Sequence, residues 1–390
     1  MQQRRLLFLV SEDSYFCSHR LNLGKAALKA GFKVAIATKC SHYAEQIHKA
    51  GIEVLPLKNF TRAGVNPWRQ LCLIWELYQI YKTYKPTIVH HVAIKPVVIG
   101  SCVAIFCATP KIINALGGLG YLFTDDETST KKAYIKKQTK FARIKKALLC
   151  KIVCYFFKLI FAKPNSTLIL QNQDDLEILT KANCVSRKQV QIIRGSGINV
   201  RDFPIRPFPN TPPIIVACIS RMLWDKGIGE LVEAAQLLQE KHLPIKILLY
   251  GTPDPENPAS IPLTQLKDWD QQKIITWNGY CDNVANAYAQ CHIAVLPSYR
   301  EGLPKSLLEA ASCGRPIVTT NVPGCREVVI DGENGFLVPA KDSTALANAL
   351  VLLSQDEALR SRMGEKGRKH VEEYFRDENI HQQILALYNL

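Results

Sequence analysis

Two carboxylates stand eight positions apart in Glu301-Gly302-Leu303-Pro304-Lys305-Ser306-Leu307-Leu308-Glu309, around a glycine-led turn and a proline that opens an apolar helix. Val295-Leu296-Pro297-Ser298, just upstream, reads as a strand end running into that turn. Gly302 lets the backbone come close to a ligand, and Pro304 suits a helix start, where its missing N–H costs nothing. The N–H groups there would face whatever lies above the strand end, and a diphosphate is the natural occupant. At roughly 1.5 Å per residue, eight residues cover about 12 Å. That span lets one carboxylate reach the sugar of a nucleotide sugar while the other holds its ribose hydroxyls. The same pattern also describes a buried helix with a capping glutamate at one end and a solvated one at the other.

Further candidates end neighbouring strands. Ile219-Ser220-Arg221-Met222-Leu223-Trp224-Asp225-Lys226-Gly227 puts two cations between a strand and a helix. A guanidinium fork and an ammonium point charge there would neutralise a leaving diphosphate. The competing use of Arg221 and Lys226 is an ion pair with Asp225 or Glu230. Gly251 and Gly279-Tyr280 follow two more strands, where glycine backbone can approach a base or phosphate, although glycine there often marks only a turn. Val322-Pro323-Gly324-Cys325-Arg326-Glu327 follows another strand and would line the same site.

The elements that must position these groups alternate along the chain. Leu6–Val10, Val34–Thr38, Val54–Leu57, Thr87–Val92, Lys111–Ala115 and Thr167–Gln171 read as strands. Helices are expected over His19–Ala30 and near Tyr43–Ala50. Short, continuous apolar runs are what strands covered on both faces require. After the proline-rich segment 203–213 the alternation restarts with Ile214–Ser220, helix Gly229–Lys241, Ile245–Tyr250, Ile274–Trp277, Ile293–Pro297, helix Ser306–Ser312 and Ile317–Thr320. The fold class is therefore α/β, with two doubly wound Rossmann-like domains. Residues 1–203 form the first, 204–374 the second, and the last helix (375–390) returns to the first. Ligands of such open sheets bind at the carboxyl ends of the strands, in a cleft.

The chain has 390 residues, 47% hydrophobic and 21% charged, ordinary values for a well-cored protein. Leu6–Val10 is too short for a leader peptide and reads as the first strand. Thirteen scattered cysteines without a CxxC pair suggest reduced core thiols, not a disulfide framework or zinc site. His90 and His91 are adjacent on a strand, so they point to opposite faces. Charge is uneven: residues 1–200 carry 30 Lys/Arg against 11 Asp/Glu, and residues 201–390 carry 19 against 23. Only the first half is built to face a polyanion.

The two-domain plan, the Arg221…Lys226-Gly227 loop and the Glu301…Glu309 pair together resemble the family 4 retaining glycosyltransferases of GT-B fold, over essentially the full length. Ser18-His19-Arg20-Leu21, Ile94-Lys95-Pro96, Gly117-Gly118-Leu119-Gly120-Tyr121 and Gly195-Ser196-Gly197-Ile198-Asn199 are similar to segments of a bacterial subgroup. Its members build glycans on undecaprenyl diphosphate: N-acetylgalactosaminyltransferases of protein glycosylation, and O-antigen and capsule transferases. The resemblance implies that Arg221 and Lys226 hold the donor diphosphate, Glu309 the ribose and Glu301 the donor sugar. Gly251, Gly279, Tyr280, Gly302, Leu303, Pro304 and Ser306 would complete the donor side. His19, Arg20, Lys95, Gly118 and Asn199 become acceptor contacts, although Arg20 would equally serve as a local cap or partner. His91 is the candidate histidine at the donor sugar, with a structural strand histidine as the alternative. Two departures stand out: Ser11-Glu12-Asp13-Ser14 lacks the paired glycines common in the family, and 253–262 is unusually rich in proline.

Between Lys131 and Lys163 lie 11 Lys/Arg interleaved with aromatic and aliphatic residues, and no acid falls between Glu127 and Asp174. This suits basic amphipathic helices on an anionic bilayer. No nucleic-acid module accompanies the charge. The expectation is a peripheral enzyme on the cytoplasmic face of the inner membrane. It would move a hexosamine, GalNAc-type favoured, from a UDP-sugar to a polyprenyl-diphosphate-linked sugar with retention and without a divalent metal. The alternative is a non-catalytic sugar-nucleotide or membrane binder.

Overall fold

The structure is a computed structural model that describes residues 3–61, 66–119, 123 and 140–389, without the side chains of 140–143. It divides into two compact units: Met1–Ser196 with His381–Leu390, and Gly197–Ile380.

In the first unit β1 (Arg5–Glu12) leads into α1 (Asp13–His19) and α2 (Leu21–Lys29), then β2 (Lys33–Lys39), α3 (Ala44–Lys49) and β3 (Glu53–Pro56). There follow α4 (Pro67–Tyr84), β4 (Ile88–Val92), α5 (Ile94–Phe106), β5 (Lys111–Ala115), α6 (Lys140–Phe161), β6 (Ser166–Leu170), α7 (Gln173–Lys181) and β7 (Val190–Ile192). The seven strands are ordered β3-β2-β1-β4-β5-β6-β7, every pair parallel. The direction of winding reverses between β1 and β4, which marks the carboxyl ends of those strands as the binding edge.

The second unit runs β8 (Ile214–Ile219), α8 (Ile228–Glu240), β9 (Ile245–Tyr250), α9 (Leu263–Gln271), β10 (Thr276–Trp277), α10 (Val284–Ala289) and β11 (Ile293–Leu296). It continues with α11 (Lys305–Ser312), β12 (Ile317–Thr320), α12 (Cys325–Val328), β13 (Gly335–Val338), α13 (Ser343–Gln355) and α14 (Glu357–Tyr374). The last helix, α15 (Asp377–Leu387), starts in the second unit and ends in the first. The parallel sheet of the second unit has the order β10-β9-β8-β11-β12-β13, reversing between β8 and β11. Both sheets are the doubly wound kind that the alternating pattern announced. The strands read as unbroken apolar runs because helices bury both faces, as in β11 and β12, where every residue is buried.

Local details differ from the sequence expectations. The helix expected over His19–Ala30 is two helices: Arg20, at φ −132°, interrupts it. Ser11–Ser14 is not a loop but the end of β1 and the start of α1. There the buried Asp13 carboxylate accepts hydrogen bonds from the Ser14 N–H and from the Ser41 N–H and hydroxyl. The cysteines are not all free: Cys154 on α6 and Cys184 after α7 form a disulfide, with Cα atoms 4.9 Å apart. Packing of α6 and the α7 end into one core brings together two residues that sequence separates by 30 positions. Cys40, Cys72 and Cys102 are exposed rather than in the core.

The last residues complete the first unit. Tyr388 is fully buried, its hydroxyl 2.5 Å from His90 Nδ1 and its ring edge-on to Phe32. Among the described residues no helix is long and apolar enough to cross a membrane.

Candidate active site

The carboxyl edge of the second sheet assembles the groups that the sequence singled out. After β8 the chain turns through a short 3-10 segment, Trp224–Lys226, and Gly227 starts α8 at φ +70°. A Cβ on Gly227 would lie 2.0 Å from the Pro297 carbonyl oxygen at the end of β11, so only glycine lets the loop seat there. That seating carries Lys226 to the β11 side. Its Nζ lies 2.5 Å from Glu301 Oε1, with side-chain exposures of only 17% and 11%. The buried Ser298 donates to the same oxygen at 2.7 Å, and the Ser298 carbonyl is held by the Thr320 hydroxyl. Lys226 thus takes Glu301 as its partner, not Asp225 or Glu230. Glu230 instead accepts from Tyr299 Oη on both oxygens at 2.8 Å. Burial pushes the Asp225 carboxyl above its ordinary range, against the pull of the neighbouring Lys226.

Gly302 meets the loop after β12. A Cβ on Gly324 (φ +79°) would come 2.4 Å from the Gly302 carbonyl oxygen. Leu303 packs on the core, and Pro304 is the residue before the helix rather than its first turn. Ser306 offers its carbonyl to Tyr288 Oη at 2.9 Å. Glu309 lies on α11, 8% exposed, with Lys305 Nζ 3.4 Å away; burial raises its carboxyl pKa while Lys305 pulls it down.

On the β9 side, Gly251 N–H donates to the Gly279 carbonyl, and Trp277 Nε1 donates to the Gly251 carbonyl at 2.9 Å. Gly251, at φ +136°, packs on the Ser220 carbonyl so closely that a Cβ would overlap it. Tyr280 is 63% exposed beside Gly279. Arg221 pairs with Asp254, Nη1 to Oδ2 2.8 Å, a partner that sequence reasoning missed. The proline-rich segment folds back so that the Trp224 N–H reaches the Ala259 carbonyl and Ser260 pairs with Leu223, which places Asp254 against Arg221. No spacing rule announces that return. The same holds for Lys341, whose Nζ sits 4.9 Å from the Tyr299 ring centre.

The first unit gathers fewer of its candidates. His19 stacks on Tyr15 at 4.3 Å, its Nδ1 is 2.7 Å from Ser18 Oγ, and Gly117 packs against the Tyr15 hydroxyl. Gly118, at φ +123°, follows Gly117 after β5. Lys95 Nζ donates to the Thr61 carbonyl at 2.7 Å and lies over the Phe60 ring, and burial lowers its pKa. Arg20 is 3% exposed, closed in with His90 and Tyr388, whose titration it influences. Asn199 belongs to the second unit, where its Oδ1 accepts from the Arg201 N–H.

His91 sits in the setting of the structural strand histidine that the sequence reading named as the alternative. It is completely buried, with Nε2 2.9 Å from Tyr81 Oη and Nδ1 2.9 Å from Asn114 Oδ1. The alternation along β4 turns it into the layer between sheet and helices, where Tyr81 on α4 and Ser101 on α5 flank it. Burial lowers its pKa to about 4, only partly offset by Asn114, so the ring is neutral.

The carboxyl edge of the second sheet thus holds two cations, a carboxylate fixed by two donors and closely approaching glycine backbone. Residues 201–370 match the family described as glycosyl transferases group 1, and residues 5–149 match glycosyl transferase 4-like. The chain therefore carries two glycosyltransferase domains on the GT-B fold and is a glycosyltransferase.

It is 26% identical over 99% of its length to the N,N'-diacetylbacillosaminyl-diphospho-undecaprenol alpha-1,3-N-acetylgalactosaminyltransferase of Campylobacter jejuni, covering 98% of that protein. It is 24% identical to the Escherichia coli UDP-Gal:alpha-D-GlcNAc-diphosphoundecaprenol alpha-1,3-galactosyltransferase over 73% of this chain and 70% of that one. In fold it matches Anabaena Alr3699/HepE, solved with UDP and glucose, at a TM-score of 0.76 and 17% identity, over 98% of this chain and 99% of that one.

Proposed function

We propose that the enzyme transfers a hexosamine, GalNAc-type favoured, from a UDP-sugar to a sugar carried on polyprenyl diphosphate, with retention at the anomeric carbon. The observation that carries this reading is the Lys226–Ser298–Glu301 contact at the carboxyl edge of the second sheet, with Arg221 on the same β8 loop. Arg221 and Lys226 would take up the charge that develops on the departing UDP, while the turn after Glu301 and the start of α11 offer backbone N–H groups. Glu301, fixed by two donors, is placed to orient the donor sugar, and Glu309 to take the ribose.

Retention requires the acceptor hydroxyl to attack from the face that the diphosphate leaves. The leaving diphosphate, once stabilised by the two cations, can itself receive that hydroxyl's proton. Two side-chain cations serving the diphosphate also support transfer without a divalent ion. For the acceptor, support comes from the two lipid-diphosphate-acting relatives and from the basic stretch Lys131–Lys163. Its first nine residues lie outside the described ones, and the rest lie in α6 and just after it. This stretch is the proposed contact with an anionic membrane, at the cytoplasmic face of the inner membrane, and nucleic acid is not a proposed partner.

The test is a panel of UDP-sugars incubated with polyprenyl-diphosphate-linked mono- and disaccharides, with and without EDTA. A UDP-hexosamine should give an α-linked product at full rate in EDTA. A β-linked product would overturn the retaining reading. Loss of activity in EDTA with recovery in magnesium or manganese would overturn the metal-free one.

A further inference from the structure

Helix α4 carries apolar residues on two opposite faces. Leu73, Leu77, Tyr81 and Tyr84 are buried against the first sheet. Trp68, Leu71 and Trp75 recur at i, i+3 and i+7 on the far side and are 77%, 56% and 63% exposed. Phe106, at the end of α5, extends this surface at 78% exposed; Tyr78 on α4 links it to Trp75 through ring contacts of 5.7 and 5.5 Å. Beside the tryptophans a shallow apolar groove runs between α4 and the end of β3, lined by Pro56, Asn59, Trp68, Leu71, Cys72 and Trp75. Exposed aromatic surface of this extent marks an interaction site.

Charge identifies the occupant. From Val54 to Gln173, the stretch that supplies α4, α5 and α6, there are 18 Lys/Arg and 4 Asp/Glu, a net of +14 in a chain of net +15. The single acid of α4, Glu76, is spent on the Lys58 and Asn59 N–H groups. A second copy of this chain would bring the same excess of positive charge against itself. An anionic bilayer satisfies both halves of the surface, since it attracts the lysines and accepts indole and leucine at the headgroup level. Helix α6, which packs on α5 as α4 does, adds exposed Ile144, Leu148, Ile152 and Tyr155 among its lysines.

The geometry points to the first two turns of α4, through Trp68, Leu71 and Trp75, as an aromatic anchor that seats the first unit on an anionic membrane. This rests on the membrane reading proposed above and adds to α6 a second, separate contact. Because α4 follows β3, these turns lie toward the carboxyl edge of the first sheet, where Tyr15, His19 and Gly117 meet. A bilayer in contact with α4 therefore presents a lipid-linked diphosphate to that edge.

Trp68 and Trp75 are two of five tryptophans, and the difference between wild type and W68F/W75F isolates their emission from that of Trp224, Trp269 and Trp277. Full-length protein is mixed with phosphatidylglycerol/phosphatidylethanolamine vesicles or with pure phosphatidylcholine vesicles, each with and without brominated acyl chains. Emission should shift to the blue and be quenched on the anionic vesicles only, and the quenching should be lost in W68F/W75F, which still floats. W68S/L71S/W75S should bind the anionic vesicles about a thousandfold more weakly, at about tenfold for each of the three large apolar side chains withheld. Its thermal melt should match the wild type.

Flotation with unchanged tryptophan emission would leave α6 as the contact and overturn the α4 anchor. Absence of flotation would overturn both. A blue shift that grows with protein concentration in lipid-free buffer, with dimers in sedimentation, would assign the face to a second copy instead.

Discussion

Replacing Lys226 by methionine removes the charge from the Lys226–Glu301 contact while keeping most of the side-chain volume. Glu301, only 11% exposed, is then left with Ser298 as its remaining partner at 2.7 Å. Breaking a buried pair from one side costs about 3–5 kcal/mol; the surviving serine bond argues for the lower end, about 3 kcal/mol. For a unit of this size each kcal/mol is worth about 2–4 °C, so the melting temperature should fall by about 6–12 °C. Activity should fall further than stability explains. Loss of one donor that stabilises developing charge costs about 100- to 1000-fold in kcat. The double variant K226M/E301Q separates the two effects. With no buried charge left unpaired it should recover most of the melting temperature, while transfer from the UDP-sugar stays at least about 100-fold down. If activity returned along with the melting temperature, Lys226 would be a structural partner of Glu301 and the leaving-group argument would fail.

Other outcomes follow from the same geometry. Gly227→Ala should destabilise the second unit by about 3 kcal/mol or more, because the added Cβ meets the Pro297 carbonyl at 2.0 Å and φ is +70°; a wild-type melt would contradict this. Asp254→Ala should raise the KM for the UDP-sugar with little change in kcat, since Arg221 loses the carboxylate that holds it at 2.8 Å, and Asp254→Asn should restore part of the effect. An unchanged KM would show that Arg221 needs no such support. The buried His91 supplies a pH dependence. Its folded pKa is depressed to about 4 from an ordinary 6.5, so the unfolded chain binds its proton first. The stability this gives is complete above about 6.5 and is lost as pH falls toward 4. Chemical denaturation at pH 7 and pH 4.5 should show a larger loss for the wild type than for His91→Gln. Equal losses would refute the neutral-ring assignment.

Several parts of the fold and site were legible in the sequence because their signals are local. Unbroken apolar runs such as Ile293–Leu296 announced strands covered on both sides, and the restart after the proline-rich segment announced the second sheet. Gly227 and Gly251 sit where strands end, and their positive φ values are backbone demands that only glycine meets without strain. Helix α4 was not legible: with apolar residues on opposite faces it has no amphipathic stripe to read. The interruption at Arg20 also carries no pattern of its own. The burial of His91 was not legible for a different reason. Alternation along a strand says that neighbours point to opposite faces, but not which face is open.

By itself the sequence determined the two parallel α/β units, most of their strands and the residues that end them, because these depend on periodicity and on turn chemistry. Tertiary structure alone decided the partners. Lys226 meets Glu301 across 75 positions, and Arg221 meets Asp254 through a loop that folds back. Cys154 meets Cys184 through helix packing, and Tyr388 reaches His90 from the far end of the chain. Charges and thiols pair by distance in space, and that distance is set by how the helices and loops stack on each sheet, which no spacing along the chain encodes.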